Sequence, residues 1–355
     1  MQKSITIVHI TGSLGGGGLE QMVFQFAKQS NQNIKTIVIS VTDTNTLEHR
    51  FLKENIEVHF LNITSFRNSS LSQGLNKLHS IVKNHNNVIF HCHQYHSGLL
   101  GVLYGLKYKK IPVTYTMHTN KVILVSRRWI LFFAKLFRKK DIIFSENSKK
   151  WYLKNSEVIP NGVDFKLFNP EKERNPNDSQ YFIFLFLGRL TTPKNPLSLI
   201  TIANQLINKS VTNFVIHVAG DGNMRQQLEH AIKKNKLEQY FKLFGYVNKI
   251  KCLIDEAHCL ILPSLWEGMP VALIESAASK LPIISTPVGS IPDFLNGSNA
   301  TICDVDSFPK HMQSVIENYD AAKKKSQILY EEAKSVFNID SVYSKHLSVY
   351  QSTIK

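Results

Sequence analysis

Short apolar runs alternate along the chain with stretches in which apolar residues recur at helical spacing. SITIVHI (4–10), TIVISV (36–41), VIFHCH (88–93), PVTYTMHTN (112–120) and DIIF (141–144) read as strands in the first half. YFIFLFL (181–187), FVIHVAG (214–220), YFKLFGYVN (240–248), Leu260–Leu262 and Leu281–Ile284 do so in the second. Continuous apolar strands such as YFIFLFL belong in parallel sheets covered on both faces. LEQMVFQFAKQ (19–29) and residues 270–278 have helical spacing. Strand, turn and helix in repeated succession predict an α/β protein of doubly wound, Rossmann-like halves.

The stretch LILPSLWEGMPVALIESAASKLPIIST (260–286) concentrates the chemistry. Pro263, Ser264 and Gly268 mark a loop after a strand. Pro270 suits the first helical position, and Val271, Ile274 and Ala278 continue the helix. The loop thus carries Glu267 to the carboxyl end of a strand, where open α/β sheets bind ligands. Glu275 follows eight positions later on the helix. Amides at the helix start, near Gly268, Met269, Val271 and Ala272, are free to meet an anion. Two carboxylates for hydroxyls beside a cradle for phosphate is what a nucleotide-sugar requires.

At 355 residues the chain is long enough for about two domains, and its 43% hydrophobic content is ordinary for two cores. The best break is NPEKERNPNDSQ (169–180), polar and punctuated by proline. It divides a first domain, 1–168, from a second, 180–338, with residues 339–355 forming a terminal helix. No apolar run reaches the roughly 18 residues of a membrane span. The N-terminus lacks the pattern of a secretory signal. The four cysteines are scattered, without a disulfide framework. These features predict a cytoplasmic protein. The net charge of +15 is uneven, with +12 carried by residues 1–165 and +3 by the rest. A basic first half predicts an anionic partner there.

The stretch PSLWEGMPVALIESAASKLPII resembles the E-x7-E motif of retaining glycosyltransferases of the GT-B fold, family 4. Other segments resemble that family in the same order. They are GGLEQMV (17–23), the strand PVTYTMH ending on Thr116-x-His118, the Pro160-Asn161-Gly162-Val163-Asp164 segment, and GRLTTPK (188–194). FVIHVAGDG (214–222) resembles its Gly-x-Gly turn. TPVGSIPDFL (286–295) resembles its Val-Gly-Gly-x-x-Glu, with Ser290 and Asp293 at the departing positions.

The resemblance implies two Rossmann-like domains facing across a cleft, the last helix crossing back to the first. It implies that Arg189 and Lys194 meet the donor diphosphate; a planar fork and a point charge suit that role. Glu267 is expected to hold sugar hydroxyls, Glu275 the ribose, and His118 the donor sugar. Gly17, Gly18 and Gly220 are expected near the donor, with Tyr246 or Val247 beside the base. His91 and His93 alternate onto one strand face and are expected on the acceptor side. Their neighbours Cys92 and His96 invite a zinc reading, but no second ligand cluster lies nearby in sequence, and no metal or other cofactor is expected. Asp304-Val305-Asp306, a D-x-D, reads as a cap at Asp306.

RRWILFFAKLFRKK (127–140) has six basic residues, no acidic one and seven large apolar ones. This composition fits a helix at a membrane interface. Arg127, Arg128, Trp129, Arg138, Lys139 and Lys140 are expected to meet an anionic leaflet. An ordinary crossover helix is the other reading. The whole predicts a hexosyl or N-acetylhexosaminyl transferase using a nucleotide-sugar, with UDP expected, on a lipid-linked or saccharide acceptor in bacterial surface polysaccharide synthesis. An epimerase or phosphorylase of the same fold is a second reading. A basic nucleic-acid-binding protein is a third; its motifs are missing from the sequence, so no nucleic-acid partner is expected.

Overall fold

The computed structural model describes residues 4–30, 33–118 and 122–354; the last two residues of the strand candidate 112–120 fall outside these. The chain forms two units, residues 1–162 with 339–355, and 163–338.

The first unit holds a seven-stranded parallel sheet. Its strands are β1 (Ile5–Thr11), β2 (Ile34–Ser40), β3 (Glu57–Phe60), β4 (Val88–His93), β5 (Val113–Thr116), β6 (Lys140–Ile143) and β7 (Ser156–Val158). Their order is β3-β2-β1-β4-β5-β6-β7. The reversal beside β1 is the switch point of a doubly wound sheet. The register sets His9 beside His91, and His93 beside Thr116. The helix Ile339–Ile354 belongs to this unit. Ile339, Val342, Tyr343 and Val349 form one apolar cluster with Met22, Phe26, Ile142 and Ile159.

The second unit holds a six-stranded parallel sheet. Its strands are β8 (Phe182–Leu187), β9 (Phe214–Ala219), β10 (Phe241–Gly245), β11 (Cys259–Leu262), β12 (Ile283–Ser285) and β13 (Thr301–Ile302), ordered β10-β9-β8-β11-β12-β13. The division falls between Gly162 and Val163, ahead of the polar stretch that composition singles out. Packing sets it there. Phe165 and Phe168 are buried, Phe165 lies against Tyr330, and the Ser279 hydroxyl donates to the Phe168 carbonyl at 2.8 Å.

The turns after β8 and β9 are laced together. Gly188 N–H donates to the Ala219 carbonyl at 3.1 Å, and Leu190 N–H to that of Asp221 at 2.9 Å. Gly220 N–H donates to the Gly245 carbonyl at 2.8 Å. Gly220 has φ +146°, and a Cβ there would stand 1.9 Å from the Gly188 carbonyl oxygen. Only glycine fits that approach. Two caps differ from the sequence reading. Pro270 is the cap residue, with the helix starting at Val271, since its extended backbone lies outside the helix. Asp304, rather than Asp306, does the capping by accepting from Ser307 N–H at 3.0 Å.

Candidate functional site

In the second unit, the turn Thr192–Lys194 after β8 is tied to the loop after β11. Leu265 N–H donates to the Pro193 carbonyl at 2.8 Å, and the Asn195 amide to that of Pro263 at 3.1 Å. Asn195 takes the left-handed backbone that lets the turn leave this contact. The result brings Lys194 Nζ to 2.5 Å from Glu267 Oε1, which also accepts from the Ser264 hydroxyl at 2.7 Å. Glu267 is buried and Lys194 partly so. Arg189, on the same turn, is exposed, and no carboxylate pairs with it among the described residues. Lys194 and Glu267 therefore share charge, while the Arg189 guanidinium stays available.

The loop then enters the helix Val271–Ala278. Gly268 and the amide-bearing residues Val271 and Ala272 are partly exposed, while Met269 is buried. The Gly268 carbonyl accepts from Ser290 N–H at 3.2 Å and from its hydroxyl at 2.5 Å. Ser290 thus anchors the loop. Glu275 is 8% exposed, and burial alone pushes its pKa up to about 8. It is a neutral acid at pH 7 in this state. Tyr246 and Val247 follow Gly245 at the end of β10, Tyr246 exposed and Val247 partly so.

In the first unit Gly18 opens the helix Gly18–Ala27, and Gly17 N–H donates to the Glu20 carboxylate at 2.9 Å. That amide already has an anionic partner, so the Gly17 and Gly18 turn offers a phosphate less than its glycines alone suggest.

The histidines form one buried cluster. His91 Nδ1 lies 2.6 Å from the Tyr350 hydroxyl, and its Nε2 2.7 Å from the Thr116 hydroxyl. His93 Nε2 lies 3.0 Å from His9 Nδ1, and its Nδ1 3.1 Å from His118 Nε2. His9, His91 and His93 are completely buried; His118 is partly exposed. Burial holds His91 and His93 well below the usual imidazole range and pushes His9 down to about 3. All are neutral at physiological pH. His91 and His93, expected on the acceptor side, are buried here, and their ring nitrogens meet other protein groups. Ligand nitrogens of His9, His91 and His93 lie within 4.8 Å of one another, a spacing a metal ion could use. Both nitrogens of His91 are, however, already hydrogen-bonded.

The stretch 127–140 is not one helix. The helix Val125–Phe133 gives way to a turn at Ala134–Leu136, and β6 begins at Lys140. Arg138 is buried. It pairs with Asp141 at 3.0 Å, donates to the Leu131 and Tyr152 carbonyls, and lies over the Tyr115 ring. Burial outweighs this partner and pushes Asp141 up to about 6. Arg138 is thus removed from any membrane face, because its charge is needed opposite a buried acid. Lys140 pairs with Glu157 at 3.0 Å, Arg127 covers the Tyr95 ring, and Arg128 donates to the Val122 and Ile123 carbonyls. Lys139 remains exposed. What the segment exposes is mainly apolar: Trp129, Phe133, Leu136 and, from a neighbouring turn, Trp151, whose ring lies 4.9 Å from that of Trp129. No helix among the described residues is long and apolar enough to cross a membrane.

Sequence reasoning missed His9, Ser264, Asn195, Tyr350 and Trp151. For His9 a signal existed: it sits near the end of a strand next in the sheet to the one bearing His91 and His93.

Residues 16–167 match the family described as Glycosyltransferase Family 4, and residues 168–336 match Glycosyl transferases group 1. The chain is 27% identical over 289 residues to the UDP-Gal:alpha-D-GlcNAc-diphosphoundecaprenol alpha-1,3-galactosyltransferase of Escherichia coli, spanning 73% of this chain and 74% of that one. It is 24% identical to the phosphatidylinositol N-acetylglucosaminyltransferase gpi3 subunit of Schizosaccharomyces pombe, over 95% of this chain and 78% of that one. Among solved structures, Anabaena HepE in complex with UDP and glucose superposes with TM-score 0.84 at 14% identity, over 98% of this chain and 100% of that one. A glycosyltransferase from Rickettsia africae gives 0.82 at 20% identity, over 99% of each chain. These likenesses establish the fold: two parallel-sheet α/β units of the GT-B type.

Proposed function

Because the chain belongs to the group 1 glycosyltransferases of family 4, we propose that it moves a hexosyl or N-acetylhexosaminyl unit from a nucleotide-sugar to a lipid-linked or saccharide acceptor. The donor nucleotide in this reading is UDP, the reaction retains the anomeric configuration and gives an α-linkage, and the product serves bacterial surface polysaccharide synthesis. The observation that carries it is the Lys194–Glu267–Ser264 contact at the strand ends of the second unit, beside the exposed Arg189. The relatives named above supply the donor and acceptor classes.

The chemistry must stabilise a departing diphosphate and an oxocarbenium-like sugar. Arg189, Lys194 and the first amides of the helix Val271–Ala278 meet the diphosphate without calling on a metal. Lys194 then exchanges part of its contact with Glu267 for phosphate, which frees the carboxylate for sugar hydroxyls. Glu275 takes the ribose hydroxyls, and His118 the donor sugar. Tyr246 and Val247 flank the base. In a thermal-shift screen of nucleotide-sugars, a UDP-sugar should raise the melting temperature most, since a ligand bound only by the native state stabilises it. A larger shift with a guanine or adenine nucleotide-sugar removes the UDP assignment.

The same reading places the protein in the cytoplasm, peripheral on the inner face of the membrane. Its contact is the apolar patch of Trp129, Phe133, Leu136 and Trp151, with Lys139 at hand for anionic head groups. The protein should sediment with anionic vesicles, less with zwitterionic ones, and detach in part as salt rises. Replacing Trp129, Phe133 and Leu136 together by Ser should weaken vesicle binding roughly tenfold or more, given the interfacial area lost. Binding of the nucleotide should be unchanged. Indifference of the wild type to anionic vesicles at low salt would replace the lipid-linked acceptor by a soluble one.

A further inference from the structure

We infer that His9 and His93 act as positioning residues that fix the tautomer of His118, so that His118 presents an Nδ1–H donor to an acceptor oxygen of the ligand. The inference rests on the proposed reading that His118 faces the donor sugar. Its own footing is the chain of contacts His9 Nδ1 to His93 Nε2 at 3.0 Å, and His93 Nδ1 to His118 Nε2 at 3.1 Å.

Each neutral imidazole has one N–H and one bare nitrogen. Two neutral rings in contact therefore need a donor facing a lone pair, and the choice at one contact dictates the next. Only two arrangements exist for the three rings. In one, protons point from His118 inward, and the last ring, His9, carries its proton on Nε2. That atom is buried and has no hydrogen-bond partner among the described residues. The N–H would be orphaned beside the Phe26 ring, whose centroid is 6.0 Å from that of His9. In the other arrangement the protons point outward. His9 Nδ1–H donates to His93, His93 Nδ1–H donates to His118 Nε2, and His9 is left with a bare lone pair. Buried orphan N–H groups are the rarer of the two in folded proteins. The outward arrangement is favoured, and it leaves His118 with its proton on Nδ1.

The rings stay neutral at physiological pH, so no imidazolium is needed to keep the order. The chain orients and does not conduct. Handing the His118 proton outward and refilling it from behind would strip His9 to an imidazolate in a fully buried site with no cationic neighbour among the described residues. The ligand atom opposite His118 must then be an acceptor, a phosphate or sugar oxygen, and His118 cannot serve there as a base. His91 stands aside from this chain, its nitrogens held by Tyr350 and Thr116. A hydrogen bond to one ring nitrogen generally sets which nitrogen of a histidine carries the proton.

The test labels histidine rings with nitrogen-15 in the full-length protein and assigns His118 by comparison with His118→Gln. The expected spectrum shows His118 protonated on Nδ1 and bare on Nε2. His9→Phe, which removes the terminal donor, should lower kcat about tenfold, the worth of one hydrogen bond, with donor KM within about twofold. His9→Gln, whose amide can donate to His93 Nε2, should recover most of the loss. A wild-type His118 protonated on Nε2 overturns the inference even if His9→Phe fails to fold. So does a folded His9→Phe with unchanged kcat and tautomer. Stoichiometric metal in the wild-type protein by elemental analysis also overturns it, because a cation would take the same lone pairs. Full kcat in His118→Ala would instead remove the reading of His118 at the sugar, while the ring spectrum still decides the order of the chain.

Discussion

Arg189→Ala should turn over roughly 10²–10³-fold more slowly than the wild type at saturating donor, the usual loss for one preorganised group aimed at developing charge. The size follows from how the two cations of this turn are placed. Lys194 lies 2.5 Å from Glu267 Oε1, so part of its charge is already spoken for. Arg189 is exposed and shares its charge with no carboxylate among the described residues. As the sugar–phosphate bond lengthens, charge moves onto the diphosphate. A guanidinium fork can follow it with two hydrogen bonds, where a water in the truncated site cannot. The effect should fall on kcat, since the contact tightens as the bond breaks. Far-ultraviolet circular dichroism should be unchanged, because Arg189 is not part of the core. Near-normal kcat at saturating donor would take Arg189 out of the leaving-group site. The turn would then be a structural tie between the ends of β8 and β11.

The architecture was legible because parallel strands are written as apolar runs and the turns between them carry glycine and proline. What pairs across the sheet was not. His9 and His91 are 82 positions apart, and only the parallel register of β1 and β4 sets them side by side. Alternation correctly put His91 and His93 on one face, but a face that another layer covers looks the same in sequence as one that meets a ligand. Arg138 misled for a related reason. In a basic stretch it reads as surface charge, yet its partner Asp141 looks like an unremarkable strand start, and the pair is visible only in three dimensions. The boundary near Gly162 shows the same limit. Composition marks where the chain is polar, whereas the division is set by which core takes Phe165 and Phe168.

Glu275 joins what was readable to what was not: spacing placed it on the right helix, but burial sets its chemistry. With its folded pKa raised from 4.5 to about 8, the native protein keeps a proton that the unfolded chain has lost throughout that window. The unfolded state binds fewer protons there, so stability falls as pH rises. The contribution is fully present below pH 4.5 and lost by about pH 8. At 1.36 kcal/mol per unit, the loss across the window is about 5 kcal/mol. Glu275→Gln removes it. The variant should match the wild type in acid and should melt distinctly higher at pH 8, by thermal denaturation in parallel buffers. The same proton should govern ligand affinity. If Glu275 binds the ribose hydroxyls as a carboxylate, it must ionise to do so, and well below pH 8 that ionisation opposes binding by about tenfold for each pH unit. With about half of Glu275 ionised at pH 8 and about a hundredth at pH 6, affinity for the nucleotide-sugar selected by thermal shift should therefore rise about fiftyfold between pH 6 and 8. Its diphosphate is a diester and stays fully ionised across this range. Calorimetry in buffers of different ionisation heat should register a proton released on binding at pH 7. Glu275→Gln should bind with nearly flat pH dependence, close to the wild type at pH 6 and far weaker at pH 8. A variant that keeps the wild-type pH profile would mean that the ribose is held by other groups.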